Sequence, residues 1–348
     1  QYTTTYTPQY FGSGPCSTPV LEGNRVWVHG IDGKFLCLDI ATGRIVWQRD
    51  LLKDFALQQM FFGAVPSPLL LGQNLILNLG KPGGPTVAAF DKDTGRIVWG
   101  TGSKWGMSCA SPVVAPLHGK QRLFVLAGGK SRPPKGGLMV IDPTSGTTIA
   151  EHDFRSRIYE SVNGSCPVVV GSTVMLTSSY STGTVGVSIS EDGKATQTWK
   201  VRKLGLEFAN AIVVDGNLYM VDGIRDRGGA IVCLEPTTGK ELGRTEIDWS
   251  ETVTLRGEQR ELDFGLGTGS LLHLGKDQFL CLTDNGHLLR LKCTPTSTTV
   301  QNRVSLFHAG ETWTPLVLSR GLLYVCQNQP EKIGNAPRRL LCFDLRGR

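Results

Sequence analysis

Asp39-Ile-Ala-Thr-Gly43-Arg-Ile-Val-Trp47 returns, barely altered, as Asp91-Lys-Asp-Thr-Gly95-Arg-Ile-Val-Trp99. Fainter copies follow at Asp142-Pro-Thr-Ser-Gly146, at Glu191-Asp-Gly193 with Trp199, and at Glu235-Pro-Thr-Thr-Gly239-Lys240. Successive glycines stand 52, 51, 47 and 46 residues apart (95−43, 146−95, 193−146, 239−193). Self-similarity at such a period marks a repeat architecture, in which one supersecondary unit stacks on the next.

Each copy is a turn between two β-favouring runs, here Phe35-Leu-Cys-Leu38 and Arg44-Ile-Val-Trp47. The acid closes an Asx-type turn with its side chain, and the glycine takes a positive φ. Upstream lie Thr18-Pro-Val-Leu21 and Arg25-Val-Trp-Val28, split by the turn Glu22-Gly23-Asn24. Each repeat therefore holds four strands, a to d. Strand a recurs near Ser67, Ser111, Cys166, Ala211, Ser270 and Thr314. The count is about seven, with eight as the alternative if the chain opens inside a further blade. Four-stranded units at this period predict an all-β β-propeller, one domain over residues 1–348, with helix nearly absent. The last repeat ends at Leu341-Cys-Phe-Asp344-Leu-Arg-Gly347-Arg348 without a strand d. The β-favouring segment Gln1-Tyr-Thr-Thr-Thr-Tyr-Thr7 is expected to supply that strand and close the ring.

The acid-x-x-Thr-Gly-Arg/Lys-x-x-Trp repeat, preceded by Leu-Cys-Leu or Val-Ala-Ala-Phe, resembles that of pyrroloquinoline-quinone (PQQ)-type β-propellers. The likeness covers nearly the whole chain and is strongest in residues 16–150. Two groups carry this repeat. One is the quinoprotein alcohol dehydrogenases. The other is non-enzymatic propellers such as the lipoprotein of the outer-membrane barrel-assembly machinery. The chain is more similar to the second group and to related uncharacterised bacterial propellers. The dehydrogenase site, as the resemblance implies it, needs a disulfide of adjacent cysteines, a tryptophan, and calcium on Glu, Asn and Asp. The nine cysteines here stand at 16, 37, 109, 166, 233, 281, 293, 326 and 342, none beside another. No D-x-[DN]-x-[DN]-G loop occurs. PQQ is therefore not expected, nor any other cofactor, and no catalytic or metal-binding residue is assigned.

Composition narrows the classes. The formal net charge of +6 is modest and dispersed, which argues against nucleic acid. No apolar run approaches the roughly 18 residues of a membrane-spanning helix. Cys37, Cys233 and Cys342 recur two residues before the turn acid, as small packing residues would. The six histidines form no HExxH, and none has a partner at metal-ligand spacing. There is no GxSxG elbow and no Walker-type loop. Glu207, Asp222 and Asp226 are acid candidates by loop position only.

Strands alternate in direction, so a–b and c–d turns share one edge of a blade and b–c and d–a loops the other. The long segments fall in the second class, including residues 80–86, 128–137, 224–229, 329–338, 50–61 and 248–264. Long loops on a rigid scaffold are where binding usually lives. The expected partner-binding residues are Trp105, Lys130, Arg132, Lys135, Arg225, Arg227, Trp249, Trp313, Arg338 and Arg339. Thr18, Ser67, Ser111, Cys166, Ser270 and Thr314 are expected to line a central funnel, either as small packing residues or around a ligand. The reading is a non-catalytic, monomeric scaffold for a protein, peptide or polymer. It would sit in the periplasm or otherwise outside the cytoplasm, with peripheral envelope-membrane association a further expectation. The alternatives are a quinoprotein-like oxidoreductase or small-ligand binder using the funnel, and a carbohydrate-binding propeller using exposed indoles.

Overall fold

The computed structural model describes residues 16–347 apart from 58–59, 82, 162, 225–226, 256 and 334–335. The chain is an all-β propeller of seven antiparallel blades. In the first blade Val20–Glu22, Arg25–His29, Lys34–Asp39 and Ile45–Asp50 pair in sequence order. Blades two to six repeat this order over residues 69–101, 113–153, 168–201, 212–246 and 270–305. The seventh has three described strands, Val317–Ser319, Leu322–Gln327 and Arg339–Asp344. The segment expected to complete it, Gln1 to Thr7, lies outside the described residues. One short helix, Leu51–Asp54, occurs among the described residues. The described residues form two compact units, one up to Lys203 with blades one to four and one from Leu204 with blades five to seven.

The cores lie between blades. Trp27, Phe35 and Cys37 of blade one pack with Leu75, Leu77 and Phe90 of blade two. Blades two and three share Ile76, Trp99, Leu123 and Met139. Blades five and six share Tyr219, Cys233, Phe279 and Leu291. In blades two and three the middle strands Val87–Asp91 and Gly137–Ile141 are buried on both faces and read as continuous apolar runs, whereas His287–Cys293 and Leu322–Gln327 alternate. The outer strand Ile45–Asp50 is largely exposed.

The repeated motif joins neighbouring blades. Asp91 Oδ1 accepts from the amide and hydroxyl of Thr94 at 2.8 and 2.6 Å. Asp39 does the same with Thr42 at 2.9 and 2.8 Å. The turn so formed receives the tryptophan of the preceding blade: Trp47 Nε1 donates to Lys92 O at 2.9 Å, and Trp99 Nε1 to Pro143 O at 3.2 Å. Where the motif fails, the packing changes with it. Gly243 stands four residues after Gly239, where a tryptophan would be expected, and the Pro295–Thr296 backbone of blade six closes to 2.6 Å of the place a Cβ would take.

Residues 248–264, expected as a loop, are instead most of a two-stranded hairpin, Asp248–Leu255 with Glu258–Gly265. Its cause is visible in the sequence. Thr252, Val253 and Thr254 are β-branched, side chains alternate from Trp249 to Leu255, and Gly257 turns the chain at φ +85°.

Candidate functional site

The loop asymmetry rests on the d–a connections and on the b–c loops of blades two, three and seven; residues 224–229, expected as a long loop, belong instead to the strands Asn217–Ile224 and Arg227–Leu234 except for 225–226. The a–b turns are two residues long where β-strands end at Glu22 and resume at Arg25, or end at Leu71 and resume at Asn74. By contrast, residues 79–86, 128–136 and 328–338 separate strands b and c, and 102–112 and 154–167 separate strand d from the next strand a.

In residues 1–203 these long segments converge on one cluster. Phe61, from the connection between blades one and two, meets Tyr159, from that between three and four, edge to face at 5.1 Å. The b–c loop of blade three lies on both rings. Lys130 Nζ is 5.0 Å from the Phe61 centroid, and Arg132 Cζ is 3.9 Å from that of Tyr159. Phe61 is buried, Tyr159 and Lys130 are half-buried, and Arg132 and Lys135 are exposed. Arg155 threads beneath the loop, donating from Nη2 to the carbonyls of Gly129 and Tyr159 at 3.2 and 3.3 Å. Burial lowers its guanidinium to about 10. Gly128 and Gly136 are required here, since a Cβ on either would meet the other's backbone at 2.7 and 2.9 Å.

The other expected partner residues each have their own local surroundings. Trp105 is only 5 % exposed and packs in the core between blades two and three, against Gly137. Trp249 is half-buried, stacked on Phe264 at 6.0 Å and covered by Arg303 at 4.6 Å. Trp313 is half-buried and lies 4.8 Å from the Phe208 ring. None of the three is the bare indole that a carbohydrate platform needs. Arg339 is held by Glu331 at 2.5 Å and Gln327 at 3.0 Å, while Arg338 is exposed. Arg227 opens strand Arg227–Leu234, and Arg225 lies outside the described residues.

The funnel residues of blades one to three bond to one another. Ser67 Oγ accepts from Thr18 N at 2.8 Å, and Ser111 Oγ accepts from Ser67 N at 3.0 Å. Cys166 packs against the core between blades three and four. Ser270 starts strand Ser270–Gly275, and Thr314 Oγ1 donates to Asn328 Oδ1 at 3.1 Å.

In residues 204–348 the structure gathers a group that spacing alone does not bring together. His287 Nε2 is 3.0 Å from Glu251 Oε2, and its Nδ1 is 2.9 Å from Asn285 Oδ1. Glu251 Oε1 accepts from Trp249 Nε1 and Arg303 Nε, each at 3.1 Å. The His308 ring stands 5.4 Å from that of His287. His287 is fully buried, and burial holds its imidazole below the ordinary range, against the opposing pull of Glu251. Glu251 and His308 are half-buried.

The repeat, the seven blades and the inter-blade tryptophans define a propeller of the quinone-repeat class. Residues 4–245, more than half of the chain, match the family described as outer membrane protein assembly factor BamB, and the protein belongs to that family. BamB from Moraxella catarrhalis has a similar fold, with a TM-score of 0.56 at 15 % identity over 94 % of this chain and 81 % of that one. A europium-containing methanol dehydrogenase is similar at a TM-score of 0.58, with 11 % identity over 89 % of this chain and 72 % of that one. Tetrathionate hydrolase of Acidithiobacillus ferrooxidans is 27 % identical over 143 residues, 41 % of this chain and 25 % of that enzyme. The chain thus matches a quarter of that curated relative's length.

Proposed function

We propose that the protein is a non-catalytic propeller scaffold. It binds an acidic segment of a protein partner on the long-loop edge of blades one to four, outside the cytoplasm. The carrying observation is the pair of cation–π stacks that fix Lys130 over Phe61 and Arg132 over Tyr159. Such stacks are worth about 0.5–1 kcal/mol at exposed sites. Here they hold two cationic side chains in place beside exposed Lys135, so less side-chain freedom is lost when a carboxylate arrives. Membership of a family described by outer-membrane protein assembly supports a protein partner and an envelope location.

The funnel-ligand reading is less well supported, because Ser67 and Ser111 already accept inter-blade hydrogen bonds. No PQQ and no catalytic group enters the proposed role, and the working unit is one chain.

The test is affinity capture from a native envelope fraction. Wild-type protein should retain one stoichiometric partner that the Arg132→Glu, Lys135→Glu double variant loses while remaining folded, its melting temperature lowered only slightly by the lost Tyr159 stack. Raising salt should weaken the contact, as the Debye length falls from about 10 Å at 0.1 M to about 3 Å at 1 M. Equal capture by both proteins would refute the charge-led contact.

A further inference from the structure

The cluster around His287 has the donors and supports of a metal site and plays no part in the proposed scaffold contact. Each ligand candidate comes from a different segment: Glu251 from the hairpin, His287 from the strand His287–Cys293, and His308 from the connection that follows blade six. Their ligating atoms lie within 4.8 Å of one another. We propose that Glu251, His287 and His308 bind one Zn²⁺ ion, with a fourth position open to water.

Three features argue for this assignment. The first is the tautomer. Asn285 Oδ1 accepts from Thr283 Oγ1 at 2.6 Å and is placed to accept from His287 Nδ1 at 2.9 Å. With the proton on Nδ1, the Nε2 lone pair faces Glu251 Oε2, 3.0 Å away. Two acceptors facing each other need a proton or a cation between them. A metal ion held between them satisfies both at once, within the ligand spacing that Glu251, His287 and His308 offer. The second feature is the outer support. Metal-bound imidazoles usually donate the remaining N–H to a carbonyl or carboxylate, and metal-bound carboxylates are themselves hydrogen-bonded. Asn285 fills the first role for His287. Trp249 and Arg303 fill the second for Glu251, both on Oε1, so Oε2 is left for the ion.

The third feature is reach. Zinc bonds of about 2.0–2.1 Å bring ligand atoms to roughly 3.3 Å from one another at tetrahedral angles. The His287–Glu251 pair already stands near that spacing. His308 has to rotate inward by an ångström or so, roughly the difference between the observed and required separations. It is half-buried, and the Ser305 Oγ contact it would give up is long, at 3.3 Å. Two imidazoles and one carboxylate are a donor set that suits zinc rather than magnesium or calcium, which prefer all-oxygen shells. Arg303 leaves the site with net positive charge once the metal is bound, so binding weaker than that of a thiolate site is expected.

The physical consequence is that the ion ties the hairpin to blade six. Titration of the full chain with ZnCl₂ and, separately, CoCl₂ tests this. Zn²⁺ should bind with a stoichiometry of one and raise the melting temperature, whereas Mg²⁺ should do neither. Co²⁺ should give the intense visible d–d bands of a four-coordinate N/O site. His308→Ala and Glu251→Gln each should weaken Zn²⁺ binding at least 10-fold. Both positions are only half-buried, so these variants keep the measurement meaningful even if His287→Ala fails to fold. Absence of one-to-one Zn²⁺ binding would overturn the proposal. So would binding that survives both substitutions, or a thiolate charge-transfer band with Co²⁺, which would put the metal on cysteine.

Discussion

The Cε3 atom of Trp47 lies 2.7 Å from the point where a Cβ on Gly95 would stand. Trp99 stands in the same relation to Gly146, with Cδ2 at 2.7 Å. The tryptophan of one repeat thus requires the glycine of the next, and the repeated motif is an interlock between neighbouring blades. Its nine residues serve packing, which is why it defines the fold and says little about function.

Gly43 and Gly95 share φ +69°, but nothing lies within 4 Å of a Cβ on Gly43. Gly43→Ala should cost about 1–2 kcal/mol, the left-handed backbone term alone. Gly95→Ala adds a steric clash with the indole and should cost about 1–3 kcal/mol more. Urea unfolding of the two variants measures the difference directly. Equal losses would mean that Trp47 is not seated on the turn.

The turn acids give a pH dependence of known sign. Hydrogen bonds from Thr237 and then Thr238 hold the Glu235 carboxyl down at about 2. A depressed folded-state pKa means stability that is present above the unfolded value of about 4.3 and is lost as pH falls toward 2. Asp91 is lowered in the same direction, first by the Thr94 hydroxyl. The melting temperature of Glu235→Gln should therefore lie below wild type at pH 7 and converge on it by about pH 2. A gap that stays constant over that range would contradict the assignment.

Asp91→Ala should lower stability by about 0.5–2 kcal/mol, by analogy with loss of a helix cap, since the Thr94 amide and hydroxyl lose their acceptor. Partner binding well below the melting temperature should be unchanged. A selective loss of binding would place Asp91 in a contact surface instead.

Ser111→Ala deprives the Ser67 amide of its acceptor between blades two and three and should cost about 1–3 kcal/mol. Ser67→Ala should cost less, because Thr18 is exposed and water can replace the lost partner. If both variants unfold like wild type, these hydroxyls are free for another role.

The blades are legible in the sequence because their information is local. Asp39, Thr42 and Gly43 specify a turn within a few residues, and apolar runs such as Val87–Asp91 specify buried strands. The hairpin escapes such a reading because Glu251, Glu258, Glu261 and Asp263 resemble a solvated loop, although Thr252 to Thr254 carry the β signal. The basic loop of blade three is visible in Lys130, Arg132 and Lys135. Its footing on Phe61 and Tyr159 is not, since those rings arrive from two different connections. The Glu251–His287–His308 group is invisible for a related reason. Its histidines are 21 residues apart (308−287), and only the hairpin brings the carboxylate to them.

Site-specific photo-crosslinking in the native host tests the central claim most directly, because it captures a partner of any identity. A photoreactive residue is placed at Arg132 or Lys135 on the long-loop edge, and at Arg44 or Arg96 on the short-turn edge, all four within blades one to three. The account predicts one discrete high-mass adduct from positions 132 and 135 and none from 44 and 96. An adduct formed only from the short-turn positions would contradict it.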